Sequence, residues 1–168
     1  EVYILMKQKN LWLLVGIPGS GKSTWALEQL NALPSEHGHW ISRDMIRFGL
    51  VKEGEEYFSK EKEVFNLFVR AVQADIDSDF VTDIYVDATH INEASREKLL
   101  RRLKNLEKVN LNAVVFDISL ETCLERNAQR TGRACVPETA IRNMYKNFRN
   151  PALDKRQYDK IIEMGEPF

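Results

Sequence analysis

The chain has few cysteines and no long apolar segment. Two cysteines among 168 residues are too few for a disulfide framework or for a zinc site closed by cysteine alone, which favours reduced thiols. The longest apolar runs, residues 11–15 and 113–116, are far shorter than the roughly 18 residues that indicate a membrane span. No secretory signal is recognised. We therefore expect a cytoplasmic location and no membrane partner.

The chain also lacks a strong net charge. Lys and Arg total 24 against 25 Asp and Glu, which excludes a highly basic protein that coats nucleic acid non-specifically. The charges are nevertheless unevenly placed: residues 122–150 carry six basic and two acidic side chains, and residues 53–83 carry nine acidic and three basic ones. Such asymmetry steers an anionic ligand toward one side of the molecule. A local site for one phosphorylated or polyanionic end is compatible with this composition.

Internal repeats and Pro/Gly/Ser-rich linkers are absent as well. The length and this absence predict a single domain over residues 1–168. Residues 1–5 precede Met6 and are interpreted as a cloning remnant or an alternative start. They are left out of the functional argument.

Short apolar runs alternate with helical patterns along the chain. Strands are predicted at residues 11–15, 39–42, 84–86, 113–118 and 160–163, and helices at 21–33, after 44, and at 57–77, 99–106, 120–130 and 138–149. Within 57–77, apolar residues recur at spacings of three and four and define one buried face: Val64, Phe65, Phe68, Val72 and Ile76. The alternation predicts an α/β fold, a mainly parallel sheet with helices on both faces, which binds ligands at the carboxyl ends of its strands.

Residues 16–23, Gly-Ile-Pro-Gly-Ser-Gly-Lys-Ser, fit the phosphate-loop pattern between a predicted strand and a predicted helix. Glycines let backbone N–H groups turn toward phosphate oxygens, and the helix start attracts the same anion. The pattern predicts a P-loop NTPase fold that binds a nucleoside triphosphate and Mg²⁺, with Lys22 at the outer phosphates and the Ser23 hydroxyl on the metal. The expected ATP-binding residues of the loop are Gly16, Pro18, Gly19, Ser20, Gly21, Lys22, Ser23 and Thr24.

Two carboxylates follow predicted strands, Asp44 and Asp87. On a parallel sheet both belong at the same edge as the phosphate loop. An ionised carboxylate there holds magnesium or accepts a proton from an attacking hydroxyl, and the sequence does not divide these tasks between the two. The alternative for each is a helix N-cap.

A cationic cluster follows the fourth predicted strand. Arg126 and Arg130 are four residues apart on a predicted helix, and Arg133 precedes the helix-breaking Pro137. We interpret residues 130–137 as a basic lid whose arginines, Arg126, Arg130 and Arg133, bind the triphosphate and stabilise charge on the transferred group. A solvated arginine-rich helix end is the alternative.

Taken together, the residues resemble the kinase domain of bacteriophage polynucleotide 5′-kinases over about residues 11–148. The shared motifs are the phosphate loop through Trp25, Arg43-Asp44 with Arg47, Asp-Ala-Thr-His-Ile-Asn at 87–92, Val-Phe-Asp at 115–117, Arg126-Asn127 with Arg130, Val136-Pro137 and Tyr145-Lys146.

This resemblance implies transfer of the γ-phosphoryl group of ATP to the 5′-hydroxyl end of DNA or RNA, in nucleic acid repair and, for a phage-encoded chain, in the host cytoplasm. It implies that Asp44 is the general base and that Lys22 and Arg130 are catalytic at the triphosphate. It further implies that Arg47 grips a phosphate of the acceptor, and that Asp87 and Thr89 belong to the loop that orders the acceptor, with Asp87 also near the metal.

The sequence departs from the family in three places. No Asp-x-Asp-Gly-Thr motif is present, so phosphatase activity is not expected. Ala88 replaces a hydroxyl side chain, and the lid is one residue longer. Two other functions remain as alternatives: a kinase for a nucleoside, sugar, antibiotic or other small molecule, and a nucleotide-binding switch or ATPase. The last is disfavoured by the lack of an Asn-Lys-x-Asp motif and of a glutamate after Asp87.

Overall fold

The computed structural model describes residues 9–165, so the extension expected at residues 1–5 lies outside the described residues. The strands are β1 (Lys9–Val15), β2 (Gly38–Ser42), β3 (Asp83–Asp87), β4 (Val109–Phe116) and β5 (Lys160–Met164). The α-helices between residues 9 and 165 are α1 (Lys22–Asn31), α2 (Arg43–Leu50), α3 (Glu61–Asp77), α4 (Glu93–Leu100), α5 (Leu120–Ala128) and α6 (Glu138–Asn147). Three short 3₁₀ turns lie at Leu106–Lys108, Gly132–Ala134 and Pro151–Leu153.

The strands form one sheet in the order β2-β3-β1-β4-β5, and every neighbouring pair is parallel. This confirms the predicted α/β fold. Asp87, the last residue of β3, pairs with Leu14 of β1 on one side and with Ser42 of β2 on the other. The phosphate loop and both predicted acidic positions therefore follow strands that end at one edge of the sheet.

Two hydrophobic cores cover the two faces of the sheet, because successive side chains of a strand point to opposite faces. Leu11 and Leu13 of β1 pack with α3 and α4, whereas Leu14 packs with α1, α5 and α6. All five residues of the face predicted for the long helix are buried, which confirms that stripe. None of the helices between residues 9 and 165 is long and apolar enough to cross a bilayer.

The fourth strand was placed wrongly at its beginning and end. It runs over Val109–Phe116 instead of 113–118. Asn110 and Asn112 interrupt the apolar pattern, but their Nδ2 atoms donate to Oδ1 of Asn10 on β1 at 3.2 and 3.4 Å. The hydrogen bonds to Asn10 give each of these two amide nitrogens a partner, and the strand begins four residues earlier than predicted.

The helix bounds predicted from leucine and aromatic spacing were wrong in two places. The helix expected at 99–106 is α4, which begins with a capping box between Asn92 and Ser95 and ends at Leu100. Leu103 is buried from the turn that follows, so its burial does not report helical geometry. The helix expected from Tyr57 begins at Glu61, and residues 57–60 form a turn instead.

Candidate active site

The loop after β1 has the geometry that binds an anion. Gly19 and Gly21 have φ values of 84° and 93°, which residues other than glycine rarely adopt. A Cβ on Gly19 would also lie 2.6 Å from the carbonyl oxygen of Cys123. Gly21 is the N-cap of α1 and offers no side-chain cap, and the first turn contains no acidic residue. The first N–H groups of α1 are therefore available to phosphate oxygens.

Lys22 lies folded onto the loop. Its Nζ donates to the carbonyl oxygen of Ile17 at 3.0 Å and to Oγ of Ser20 at 3.5 Å, and the residue is 7% exposed. Burial lowers the pKa of Lys22, whereas the charges of Asp87 and Asp44 act in the opposite direction. The two carboxylates and the lysine thus belong to one electrostatic site.

A cleft of about 260 Å³ opens above this loop. It brings together eleven residues that the sequence singled out: Pro18, Gly19, Gly21, Lys22, Ser23, Thr24, Asp44, Arg47, Asp87, Thr89 and Arg130. Asp44 and Lys22 therefore face the same space, as a base and a phosphate-binding lysine must.

Four predicted ATP-binding residues do not line the cleft. The N–H of Gly16 donates to the carbonyl of Thr89 at 2.9 Å, and Ser20 is buried. Nη1 of Arg126 donates to the carbonyl of Gly19 at 3.2 Å. Gly16 and Ser20 thus belong to the buried part of the loop, and Arg126 contacts the loop from α5.

Arg133 is the fourth, and it is placed differently from the prediction. Its Nη1 donates to the carbonyl oxygens of Phe48 at 2.7 Å and Val51 at 2.6 Å, where α2 ends. Arg133 therefore joins the segment after α5 to α2 and does not reach over the phosphate loop.

The rest of the predicted lid folds back beside the cleft. Asn127, in the last turn of α5, holds Val136 from both sides: its Nδ2 donates to the Val136 carbonyl at 2.8 Å, and its Oδ1 accepts from the Val136 N–H at 2.9 Å. Arg130 lies between these two residues in sequence and lines the cleft. The predicted guanidinium is thus beside the phosphate loop.

Asp87 lies against the start of α1. Its Oδ2 accepts from the Ser23 hydroxyl at 2.6 Å and from Nε1 of Trp40 at 2.8 Å. The N-cap alternatives are wrong, because Ser42 caps α2 and Asn92 caps α4.

This donor set fits the metal that the loop implies. The Ser23 hydroxyl and the Asp87 carboxylate are the oxygen donors that Mg²⁺ prefers. Between residues 9 and 165, no three His, Cys, Asp or Glu side chains form a group that could hold a metal ion. A magnesium ion at this place would take its other ligands from phosphate and water.

Asp44 and Arg47 form an ion pair on the side of α2 that faces the cleft. The Asp44 side chain is 51% exposed and that of Arg47 is 6% exposed, and Nη1 of Arg47 donates to Oδ1 of Asp44. The Tyr57 hydroxyl donates to the same oxygen at 3.3 Å, and its ring lies 4.8 Å from the Arg47 guanidinium carbon. Burial and the Asp44 charge raise the pKa of Tyr57 to about 12, so Tyr57 remains a hydrogen-bond donor at neutral pH.

Glu61, which the sequence did not single out, accepts hydrogen bonds from Arg43 and Arg47 of α2. Its Oε1 accepts from Nε of Arg47 at 2.6 Å, and its Oε2 accepts from Nη2 of Arg47 at 3.0 Å and of Arg43 at 3.1 Å. Burial alone would lower the pKa of Arg47, but the bonds to Glu61 and the charge of Asp44 raise it above its usual value. Glutamate is common in the first turn of a helix. The sequence therefore does not distinguish Glu61 from an ordinary helix-start residue, and only its contacts in the folded chain do.

The loop after β3 carries a fully buried histidine. Nδ1 of His90 lies 2.8 Å from the carbonyl oxygen of Leu14, and Nη1 of Arg96 donates to the His90 carbonyl at 2.7 Å. Burial lowers the pKa of His90 from 6.5 to about 3, and the nearby charges of Arg43, Lys22 and Arg96 contribute in the same direction. The ring is therefore neutral and supports the phosphate loop through Leu14.

The low pKa of His90 predicts a pH-dependent stability. The unfolded chain takes up a proton near pH 6.5 and the folded chain only near pH 3, so the His90 contribution is complete above pH 6.5 and is lost as the pH falls toward 3. Each unit in this window should lower the free energy of unfolding by up to about 1.4 kcal/mol. Urea unfolding at several pH values should show this loss, and His90→Asn, which tolerates the positive φ of 45°, should reduce it. Parallel curves for the two proteins would contradict the prediction.

Comparisons with known proteins identify a family and several relatives of this chain. Residues 11–151 match the family described as AAA domain. A bifunctional polynucleotide kinase/RNA ligase of Autographa californica nuclear polyhedrosis virus is 25% identical over 181 residues, and the match covers 98% of this chain. The chain spans only 24% of that viral protein. An adenylate kinase of Campylobacter hominis is 29% identical over 164 residues, which is 89% of this chain and 82% of the adenylate kinase.

A solved structure shares the fold. A chain of the Pnkp1/Rnl/Hen1 RNA repair complex superposes with a TM-score of 0.67 at 24% identity, covering 86% of this chain and 45% of that one. Since the family match extends over most of the sequence, the chain belongs to the AAA domain family, and its parallel sheet with a phosphate loop after β1 is a P-loop NTPase fold.

Proposed function

We propose that this protein is a P-loop kinase that transfers the γ-phosphoryl group of ATP to the 5′-hydroxyl end of DNA or RNA, with Mg²⁺. The observation that carries the proposal is the buried Arg47 beside Asp44, on a wall of the cleft separate from the phosphate loop. The loop already provides an anion site for the donor. A second, guanidinium-based anion site next to a carboxylate suits an acceptor whose hydroxyl has a phosphate close by.

In the proposed reaction, Asp44 accepts the proton of the 5′-hydroxyl as the hydroxyl oxygen bonds to the γ-phosphorus of ATP. The bond between that phosphorus and the β–γ bridging oxygen breaks, and ADP leaves. Lys22 and Arg130 stabilise the negative charge that spreads over the transferred group. Ser23 and Asp87 would hold Mg²⁺, which neutralises charge on the outer phosphates when it is bound. Arg47 keeps the acceptor phosphate, and hence its hydroxyl, in line with the donor.

The relatives support an acceptor of this class. The viral relative is described as a bifunctional polynucleotide kinase/RNA ligase, and it aligns with nearly the whole chain. The adenylate kinase relative supports a second candidate, a small-molecule kinase, because a nucleoside monophosphate also presents a phosphate to Arg47. Nucleoside, sugar and antibiotic acceptors belong to the same alternative.

An acceptor panel tests the proposal. The protein is incubated with γ-labelled ATP, Mg²⁺ and either a 5′-hydroxyl oligonucleotide, its 5′-phosphorylated counterpart, AMP, nucleosides or sugars. We expect label on the 5′-hydroxyl oligonucleotide and none on the phosphorylated control, because only the former has the reacting hydroxyl. Label on AMP, a nucleoside or a sugar with none on the oligonucleotide would overturn the proposal in favour of the alternative.

A further inference from the structure

Three cationic side chains surround one aromatic ring next to the cleft. The guanidinium carbon of Arg43 lies 5.4 Å from the centroid of the Phe65 ring, Nζ of Lys98 lies 4.7 Å from it, and the guanidinium carbon of Arg102 lies 5.7 Å from it. Phe65 is 6% exposed and belongs to the core between α3 and α4. The ring therefore holds three positive charges together at the protein surface.

Two of these cations have no anion to neutralise them. Between residues 9 and 165, neither the Lys98 nor the Arg102 side chain forms an ion pair or a hydrogen bond. The adjacent carboxylate of Glu97 is shared by Arg101 and Arg156, and that of Glu61 is shared by Arg43 and Arg47.

The spacing of the two exposed cations adds to this imbalance. Lys98 lies at the end of α4 and Arg102 in the turn after it, and both contact one ring, so their like charges are close together and repel each other. A ligand with negative charge would relieve this repulsion.

The cations also form a path. Arg43 lines the cleft, and its guanidinium contacts Phe65 on α3. Lys98 contacts the same ring from the end of α4, and Arg102 contacts it from the turn after that helix. Arg43 therefore belongs both to the cleft and to the cations around Phe65, and Lys98 and Arg102 extend the positive charge from it onto the neighbouring surface.

We infer that this group of cations, which we call the Phe65 track (Arg43, Phe65, Lys98 and Arg102), binds phosphates of the single acceptor strand that lie beyond the nucleotide held in the cleft. The inference rests on the proposed function. A single strand fits because its phosphates recur along a flexible backbone, whereas the ring itself is buried and leaves no face for a stacked base.

The test compares acceptors of different length in the intact protein. Lys98→Ala/Arg102→Ala is assayed with a single-stranded 5′-hydroxyl oligonucleotide of about eight nucleotides and with a nucleoside 3′-phosphate. We expect KM for the oligonucleotide to rise about tenfold at about 50 mM salt, and KM for the nucleoside 3′-phosphate to stay unchanged. The slope of log(kcat/KM) against log salt should become shallower by about 1.4, because each phosphate neutralised on a single strand contributes about 0.7.

Two controls keep the result specific. Arg70→Ala/Lys108→Ala removes the same charge from exposed positions of α3 and of the turn before β4, and should leave KM and the slope as in the wild type. Lys98→Arg/Arg102→Lys keeps both charges and should retain most of the affinity. Melting temperatures of all variants should agree, because the substituted side chains are exposed.

The outcomes separate the two proposals. If the wild type labels the oligonucleotide but the Lys98/Arg102 variant loses nothing, or loses as much with the nucleoside 3′-phosphate, the track is wrong and the proposed function stands. A matching loss in the Arg70/Lys108 control would also reject the track, because the effect would follow net charge alone. If the wild type labels no oligonucleotide at all, the proposed function fails and the track fails with it.

Discussion

Replacing Asp44 by asparagine is expected to lower kcat for transfer to a hydroxyl by about 100- to 10,000-fold, the range that a general base contributes. Asparagine keeps the shape of the side chain and still accepts hydrogen bonds from Arg47 and Tyr57, but it has no basic oxygen for the proton. ATP binding should be nearly unchanged, because the phosphate loop lies on another wall of the cleft. Steady-state kinetics and calorimetric titration with ATP measure the two effects separately.

Asp79→Asn is the matched control for this substitution. Asp79 is an exposed carboxylate in the loop after α3, so its loss makes the same change of charge away from the cleft. We expect wild-type turnover from it. Normal turnover by the Asp44 variant would remove Asp44 as the base and leave proton transfer to another group.

Arg47→Ala is expected to lower kcat/KM for an oligonucleotide by about 100-fold, because truncating one member of a buried, hydrogen-bonded charge pair costs about 2–5 kcal/mol. A nucleoside that has no phosphate cannot use the Arg47 guanidinium. In this variant, kcat/KM for the nucleoside should therefore fall much less than kcat/KM for the oligonucleotide. The remaining decrease would come from the lost contact between Arg47 and Asp44. The ratio of kcat/KM for the two acceptors, with and without the substitution, is the measurement.

Arg47→Lys distinguishes anion binding from folding in this experiment. Lysine keeps the charge but cannot replace the two parallel bonds to Glu61, so the variant should fall between wild type and Arg47→Ala on the oligonucleotide. Thermal melting checks that each variant is folded. Equal losses on the oligonucleotide and the nucleoside would contradict a role for Arg47 in holding an acceptor phosphate.

The phosphate loop and the parallel sheet could be predicted because their signals are local. A glycine-rich turn between an apolar strand and a helix has one common use, and strands covered on both faces are apolar throughout. The start of β4 could not be predicted in this way, because the amide nitrogens of Asn110 and Asn112 find their hydrogen-bond acceptor on Asn10, which is 100 and 102 residues away in sequence.

The residues that contact Asp44 and Arg47 could not be predicted from the sequence for the same reason. Asp44 and Arg47 were found from one motif, since they lie on the same turn of α2. Glu61 and Tyr57 reach them from the following turn and helix, and no spacing in the sequence encodes those contacts. Arg133 belonged to a basic cluster whose direction depends on how the segment after α5 folds, which is determined by its hydrogen bonds to α2.

Those hydrogen bonds join parts of the protein that are expected to meet different substrates. Arg133 links the segment that carries Arg130 to the end of the helix that carries Asp44 and Arg47. An acceptor that shifts α2 must therefore carry the Arg130 segment along or break two bonds. Any change that one substrate makes in the affinity for the other is reciprocal, as thermodynamic linkage requires. On the proposed function, Arg133 is thus placed to couple the binding of the two substrates.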